Sequence, residues 1–235
     1  MKRPSKKRTL SILGIIALLI AAGIVAFPVL RSLYKTVLYR REVRQMERVF
    51  PDTDPHFQET LIPLRRQVDQ YNREIATIGQ RRPADPFTHQ QPSYDLSDYD
   101  IYDYVFGFIT IERMGVTLPI LLGANDFGFE RGAVLLTESS FPVGGINTNA
   151  LIAARRDAET PMFRDIEKLK VGDRIVIRNL FDILTYEVVE TKVIAPDEVA
   201  ELTIQPLRDL ITLISEHPRG LHTQRYIVVC ERVTR

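Results

Sequence analysis

The sequence predicts a mainly β protein, a closed or nearly closed barrel with short helices, preceded by N-terminal helices and a transmembrane helix. After residue 104 the chain consists of β-branched and aromatic runs separated by turn residues, namely YVFGFITIE, VTLPILL, ALIAA, RIVIRN, ILTYEVVETKVI, LITLIS and RYIVV. Short helices are indicated there only near FRDIEKL and APDEVAEL. Many strands with few helices are typical of a barrel.

Length and charge limit the classes of function. The 235 residues leave room for one domain with a sizeable core plus appendages. Five of the 31 basic side chains lie within residues 1–8, which leaves 26 basic against 30 acidic elsewhere, so no nucleic-acid partner is predicted. Cys230 is the single cysteine, which excludes an internal disulfide and a cysteine metal cluster. No cofactor or metal site is predicted.

Residues 9–30, TLSILGIIALLIAAGIVAFPVL, contain no charged side chain and are long enough to cross a membrane as a helix. The apolar run is longer than that of a cleaved signal peptide, which favours an uncleaved anchor. The positive-inside rule makes residues 1–8 a basic cytoplasmic tail. The expected arrangement is a single-pass protein of the cell membrane with its C-terminal domain outside the cell.

Residues 31–80 are predicted to form a helical extension. Its clearest part has apolar residues at alternating spacings of three and four, namely Leu61, Leu64, Val68, Tyr71, Ile75 and Ile78. The stripe could be a coiled-coil seam or a face that docks on the domain. Docking is favoured, because the run is short and prolines interrupt the region.

Residues 81–103 form a polar loop, which we call the lid-like loop, rich in proline, aspartate and tyrosine. A loop of this length without periodicity is typically functional or disordered. Its end, YDLSDYDIYDY, contains four aspartates, but no spacing matches a known calcium-binding loop. A solvated acidic segment is the favoured interpretation.

The remainder, residues 104–235, resembles the sortase family over about residues 104–232. The resemblance rests on the order and spacing of VTLPILLG, SSFPVGGINTNALIA, MFRDIEKLKVGDRI, LTYEVVETKVIAPDE, DLITLIS and HTQRYIVV. The helical extension followed by Asp85-Pro86-Phe87 is similar to the lid of class C, pilus-building sortases. Class C members commonly have a second membrane helix after the barrel, and the printed sequence has none.

The resemblance implies cleavage of an LPxTG-type sorting signal by a cysteine nucleophile, with transfer of the acyl group to an amine. The family histidine falls on Arg155 in ALIAARRD, the cysteine on Glu216 in TLISEHP, and the arginine on Arg225 in HTQRYIVV. A carboxylate attacking an amide gives an anhydride far uphill of a thioester. A guanidinium holds its proton at any working pH and cannot act as the acid. Both changes predict a loss of catalysis.

Other residues do not replace the missing groups in the sequence-based prediction. Cys230 lies five positions after Arg225, so strand alternation turns it to the opposite face and displaces it by roughly 16 Å. His217 is interpreted as a solvated turn histidine, and neither His222 nor His89 is expected to meet a nucleophile.

The two replacements preserve opposite charges, so we hypothesise that Glu216 forms a salt bridge with Arg155, Arg225 or both and holds the mouth of the barrel in shape. The alternative, in which both positions drifted under relaxed selection, stays open. In the lid-like loop, Asp85 is expected to pair with Arg155 or Arg225 and Phe87 to fill the apolar groove, against the alternative of an ordinary Asp-Pro turn.

Two classes of function follow. The first is a membrane-anchored pseudoenzyme at a Gram-positive-type cell surface that binds a sorting signal, a pilin or an active sortase without cutting. The second is a divergent enzyme, either a hydrolase that uses a water activated by Glu216 or a transpeptidase with another nucleophile. Peptide turnover after removal of the lid would distinguish the second from the first.

Overall fold

A computed structural model describes residues 6–50, 59–99, 101, 104–156 and 160–233. Residues 1–5 of the predicted cytoplasmic tail lie outside this part of the chain, as do Asp100 and Asp103 of the acidic segment. The barrel and most of the lid-like loop are described.

Eight strands form one closed barrel in the order β1-β2-β3-β4-β7-β8-β6-β5, with β5 pairing back to β1. The pairs β2–β3 and β4–β7 are parallel and the other pairs are antiparallel. The strands are β1 (Val105–Ile111), β2 (Val116–Leu122), β3 (Ala133–Leu135), β4 (Thr148–Ala153), β5 (Arg174–Asn179), β6 (Ile183–Ile194), β7 (Asp209–His217) and β8 (Gln224–Arg232). The predicted barrel is confirmed.

One strand and one helix escaped the sequence analysis. Strand β3 has only three residues, too few for an alternating pattern to be recognised. The helix Asp126–Arg131 immediately precedes it, and the side chain of Asn125 accepts a hydrogen bond from the backbone amide of Gly128 at 3.0 Å as the N-cap. This helix supplies Phe129 and Asp126 to the region described below.

Strand β7 is longer than predicted at its C-terminal end. Glu216 and His217, which follow the predicted strand LITLIS, continue the ladder opposite Arg225 and Gln224 of β8. Polar side chains at a strand end resemble a turn in sequence, but the antiparallel partner supplies backbone hydrogen bonds that extend the strand. The consequence is that Glu216 lies on a rigid element.

The first helix, α1 (Lys6–Val49), runs without a break through the predicted anchor boundary at residue 30. Leu18–Arg48 includes a window of mean hydropathy 1.6 that is not buried against the rest of the protein. By length and composition this helix can cross a membrane, a property that signal sequences share. Its C-terminal part contacts the barrel: Tyr39 and Val43 are buried, and the Tyr39 hydroxyl donates to the Arg131 carbonyl at 3.1 Å.

The second helix, α2 (Ile62–Ile78), docks on the barrel through the predicted stripe. Leu61, Leu64 and Val68 are buried in the main core, whereas Ile78 at the helix end is 85% exposed. Asn72 anchors the same face, donating to the carbonyl of Phe141 at 3.1 Å and accepting from its amide at 2.8 Å. The helix is therefore held on the barrel as favoured over a coiled-coil seam. The short helix Asp126–Arg131 is α3.

The strands β4, β7 and β8 separate two apolar clusters. Alternate residues of these strands, such as Ile211, Leu213 and Val228, belong to the main core. The intervening residues face a second cluster, whose buried members are Ala124, Phe129, Val134, Leu136, Leu151, Ala153, Ile194, Val199, Leu202, Ile214 and Ile227. Period-two alternation in strands produces this division, and it assigns each polar residue at the strand ends to one face.

Candidate active site and its lid

Glu216 and Arg225 lie directly opposite each other on β7 and β8. Two positions earlier on β7 and two later on β8, Ile214 and Ile227 form the preceding pair and belong to the second cluster. Directly paired residues of antiparallel strands point to the same side of a sheet. Glu216 and Arg225 therefore share the face of the second cluster, which we call the groove.

The carboxylate of Glu216 pairs with His222, not with an arginine. Glu216 Oε1 lies 3.1 Å from His222 Nδ1, and the Glu216 side chain is 16% exposed. In the described part of the chain, no ion pair within 4.0 Å joins Glu216 to Arg155 or Arg225, so the hypothesised salt bridge is wrong for this conformation. The physical reason is competition, because each guanidinium is engaged by another carboxylate. The sequence analysis did not anticipate this contact between His222 and Glu216.

Arg225 is bound by the lid-like loop. Its Nε and one terminal nitrogen donate to the two carboxylate oxygens of Asp85 at 2.6 and 2.8 Å, and both side chains are 6% exposed. The other terminal nitrogen donates to the carbonyls of His222 and Gln224 at 2.9 and 2.7 Å. This two-point geometry is the strong form of an arginine–carboxylate contact. Asp85 thus takes one of its two expected partners.

Arg155 follows β4 and lies on the groove side at greater exposure. A terminal nitrogen of its guanidinium lies 3.0 Å from Asp126 Oδ1, in a pair whose side chains are 41% and 70% exposed. The guanidinium carbon lies 5.4 Å from the centre of the Phe129 ring, and the Nε atom is buried without a hydrogen-bond partner. Arg155 is therefore held by α3 and not by Glu216.

Phe87 of the lid-like loop inserts into the groove. Its ring stacks on that of Phe129, with 5.1 Å between the ring centres and 23° between the ring planes. The guanidinium carbon of Arg225 lies 5.1 Å from the centre of the Phe87 ring. The four side chains form a series, Arg225–Phe87–Phe129–Arg155, in which cations flank two stacked rings. Pro86 between the two anchoring residues is buried.

Gln91, near the middle of the lid-like loop, binds the loop to the barrel domain. The amide of Gln91 donates to the carbonyl of Ala124 at 2.8 Å, and its side chain donates to Glu138 at 2.8 Å while accepting from the amide of Thr137 at 2.9 Å. Between the loop and Pro196, Asp197 and Val199 lies an open cavity of about 360 Å³. In the part of the loop before Gln91, Asp85 and Phe87 contact the groove, and Gln90 accepts a hydrogen bond from the amide of Asp126 at 3.2 Å.

A second polar cluster occupies the opposite face of the same strand ends. Arg156, next to Arg155, lies 2.5 Å from Glu167, and His217 Nδ1 lies 2.9 Å from the other Glu167 oxygen. Arg156 is 6% exposed and also donates to the carbonyl of Arg164 at 3.3 Å. The contact with Arg156, and secondarily the charge of His217, holds the pKa of Glu167 below its ordinary value.

We call Arg156, Glu167 and His217 the core-side cluster. The interpretation of His217 as a solvated turn residue is wrong, because strand β7 extends through it and turns it away from Glu216 toward buried Arg156. Arg156 and Glu167 did not emerge from the sequence analysis. The alternation of Arg155 and Arg156 was the available signal, since neighbouring residues at a strand end point to opposite faces.

Cys230 lies in the main core opposite Ile211 of β7 and is fully buried. Burial raises the pKa of its thiol, which disfavours the thiolate needed for attack. Its side chain points away from the face that carries Arg225, as strand alternation predicts. Cys230 therefore cannot act in the groove of this structure.

The groove offers a carboxylate–imidazole pair, a buried guanidinium and a half-exposed one. No group of three metal-ligating side chains occurs within the described residues. A thiol nucleophile is absent from the described groove, because Cys230 faces the core. The groups present can bind an anion or position a water, whereas acyl transfer through a thioester requires a group that they do not supply.

The family model described as "Sortase domain" matches residues 109–233. Sortase D of Bacillus subtilis is 28% identical over 131 residues, covering 54% of this chain and 64% of that protein. Sortase A of Listeria monocytogenes is 32% identical over 136 residues, covering 57% and 59%. The matches thus span about three-fifths of the length of these curated relatives.

Solved structures of sortases have a similar shape. One is "Group B Streptococcus Pilus Island 1 Sortase C2", with a TM-score of 0.68, 27% identity and coverage of 78% of this chain and 100% of that chain. Another is sortase C-1 from Actinomyces oris, with a TM-score of 0.65, 30% identity and coverage of 73% and 97%. With the domain match and the eight-stranded barrel, these likenesses lead to one conclusion: the chain belongs to the sortase family.

Proposed function

We propose that this protein is a membrane-anchored, class C sortase-like protein of a Gram-positive-type cell surface that binds without cleaving. The proposal is carried by Glu216 and Arg155, which stand where the resemblance predicts the family's nucleophile and histidine. Neither group can perform the step of the residue it replaces, since a carboxylate does not form a thioester and a guanidinium does not release a proton.

The proposed role is that of a binding or accessory factor in pilus assembly or surface-protein sorting. The helical extension, and the contact of Asp85 and Phe87 with Arg225, support the class C assignment, together with the similar structure of the pilus island sortase C2 of Group B Streptococcus. The proposed partners are an LPxTG-type sorting signal, a pilin or an active sortase. In this proposal residues 81–103 act as a lid.

The long apolar helix α1 supports the proposed anchoring, with the barrel on the extracellular side. The barrel would then lie close to the membrane, because the C-terminal part of the same helix packs against it through Tyr39 and Val43. A position beside the membrane suits a factor that receives anchored surface proteins.

A second candidate function is a divergent hydrolase, favoured by the contact between Glu216 and His222. A carboxylate 3.1 Å from an imidazole can orient the ring while the ring takes a proton from water. In that candidate the water, not the protein, attacks the peptide, and no transfer to an amine through an enzyme-bound acyl group occurs.

The test is mass spectrometry of the full chain in detergent, incubated with an LPxTG-type peptide and an amine acceptor. The chain with Asp85→Asn, which releases Arg225, is compared with the same chain carrying Glu216→Cys and Arg155→His. We expect no product from the first and cleavage or transfer by the second. Turnover by the chain that retains Glu216 and Arg155 would contradict the proposed function.

Two controls separate the candidates. Cys230→Ala in the Glu216→Cys, Arg155→His chain should leave its activity intact, because Cys230 is buried in the core. If the chain with Glu216 releases a hydrolysed peptide and both Glu216→Gln and His222→Gln abolish that release, the hydrolase candidate replaces the binding one.

A further inference from the structure

The lid-like loop occupies the groove as a ligand would, through a carboxylate and an aromatic ring two residues apart. We propose that, once this loop withdraws, the groove receives a partner peptide with the same two features, an acidic side chain followed two positions later by an aromatic one. This inference rests on the proposed binding function and specifies its ligand. It differs from a neutral LPxTG-type peptide, which has no aromatic ring and needs no acidic residue.

The first support is the donor pattern of Arg225. One terminal nitrogen is satisfied by backbone carbonyls, and the remaining edge of the guanidinium presents two donors to Asp85. The side chain is 6% exposed, so a groove emptied of Asp85 would leave a buried cation without its counter-charge. An occupant that supplies two coplanar acceptor oxygens restores the contact, and a carboxylate has that geometry.

The second support is the aromatic slot. The centre of the Phe87 ring lies 5.1 Å from the guanidinium carbon of Arg225 and 5.1 Å from the centre of the Phe129 ring. The slot is closed beyond Phe129 by Arg155 and lined by the apolar second cluster. A planar, electron-rich ring gains from both neighbours, since it attracts the Arg225 cation and stacks on Phe129. An aliphatic side chain gains only the apolar contact.

The third support concerns Glu216, which stands opposite Arg225 on the adjacent strand. In this structure its carboxylate is held at 3.1 Å by His222 and leaves Arg225 to Asp85. Among the described residues Glu216 is the nearest strand neighbour able to compete with an incoming carboxylate. Removing its charge should therefore strengthen the binding of an acidic peptide, whereas a residue that contacts an uncharged substrate would weaken binding when changed.

The experiment uses the full chain in detergent with Asp85→Asn and Phe87→Ala, a variant that vacates both anchoring positions. Fluorescence anisotropy measures binding of labelled peptides: the lid sequence RPADPFTH, its Asp→Asn and Phe→Ala forms, a peptide of unrelated sequence that keeps Glu-Ala-Tyr, and LPATG flanked to equal length. We expect the lid and Glu-Ala-Tyr peptides to bind at least about tenfold more tightly than the Asp→Asn form and LPATG.

Changes in the groove provide the matched controls. Arg225→Lys keeps the charge but loses the two-point contact, and should reduce the preference for the acidic peptide about tenfold. Phe129→Leu should reduce the preference for the aromatic ring while leaving that for the carboxylate unchanged. Glu216→Gln should tighten the acidic peptide and leave LPATG unaffected. Circular dichroism of each variant verifies that the barrel remains folded.

Equal affinity for LPATG and the acidic peptides, or no binding of the acidic peptides to a folded variant, would overturn this inference. Self-association of the opened chain in sedimentation would also overturn it, by making a second copy the occupant. Cleavage products in the same samples bear separately on the proposed function. Binding of LPATG as tight as that of the acidic peptides, without cleavage, would contradict the inference and leave the function standing.

Discussion

Both faces of the sheet at the ends of β4, β7 and β8 carry charged side chains, but these pair with one another on the core side only. On the core side, Arg156, Glu167 and His217 contact one another and Arg156 is buried. On the groove side, Arg155, Glu216 and Arg225 occur at neighbouring positions, yet none of them pairs with another and each takes a different partner. At the same end of one sheet, the core-side residues thus bind one another, whereas each groove-side residue binds a partner outside its own group.

The difference indicates which contacts hold the fold and which are available for binding. The core-side cluster joins the ends of β4 and β7 to the segment around Glu167, so it stabilises the barrel. The groove-side arginines pair with Asp85 and Asp126, of which Asp85 belongs to the lid-like loop outside the barrel. A contact with a loop can be exchanged for one with a ligand at little cost to the barrel.

The adjacent arginines give the sharpest test of this comparison. Arg156→Met removes a buried cation from Glu167, His217 and a backbone carbonyl, and should lower the free energy of unfolding by about 2–3 kcal/mol. Arg155→Met is the matched control, with an expected loss below about 1 kcal/mol because its ion pair is exposed. Thermal unfolding followed by circular dichroism measures both. Equal losses would remove the distinction between the two faces.

The lid-like loop should open locally when the contact between Asp85 and Arg225 is removed. Asp85→Asn breaks the two-point contact with Arg225 and should favour the open loop by about 1–3 kcal/mol, because a charged hydrogen-bonded pair is lost. Hydrogen exchange in peptides spanning residues 82–91 should accelerate, while strands β7 and β8 stay protected. Asp98→Asn, at an exposed position of the same loop, is the control. Acceleration throughout the barrel would mean that the loop is part of the fold.

Phe87→Leu is expected to have a smaller effect of the same kind. Leucine keeps apolar contact with the second cluster but loses the stacking on Phe129 and the cation contact with Arg225, together worth about 1 kcal/mol. The same exchange measurement should therefore give an intermediate rate between the parent and Asp85→Asn. A rate equal to that of Asp85→Asn would make the ring, not the carboxylate, the main anchor.

The core-side cluster should weaken in acid. Because the folded-state pKa of Glu167 is lowered from its ordinary value near 4.5, ionised Glu167 stabilises the fold above that value, and this contribution is lost as pH falls through the lowered pKa. Glu167→Gln should cost less than about 1 kcal/mol at pH 7, since the side chain is 42% exposed, and nothing at low pH. The free energy of unfolding of the parent and of Glu167→Gln, measured as a function of pH, gives the difference between them, with exposed Glu59→Gln as the control. A gap independent of pH would contradict the assignment.

Sequence reasoning anticipated the barrel and the contacts of Asp85 and Phe87 with the groove. It missed the pairing of Glu216 with His222 and of Arg155 with Asp126. Alternation in LITLIS and RYIVV fixes which side chains share a face, and thereby excluded Cys230 from the groove. The same rule applied to Arg155–Arg156 and Glu216–His217 would have separated the two clusters. The strand end was misread because Glu216 and His217 are polar, and only the pairing with β8 extends the strand through them.

The sequence by itself determined the family fold and the apolar N-terminal helix, and the resemblance carried by its motifs predicts Glu216 and Arg155 at the positions of the family's nucleophile and acid. These depend on local patterns and on residue identity, which the chain carries directly. The tertiary structure decided that Glu216 pairs with His222, that Arg225 pairs with Asp85, and that Phe87 fills the slot beside Phe129. Several carboxylates compete for two guanidiniums, and the choice among them depends on distances between segments far apart in the chain.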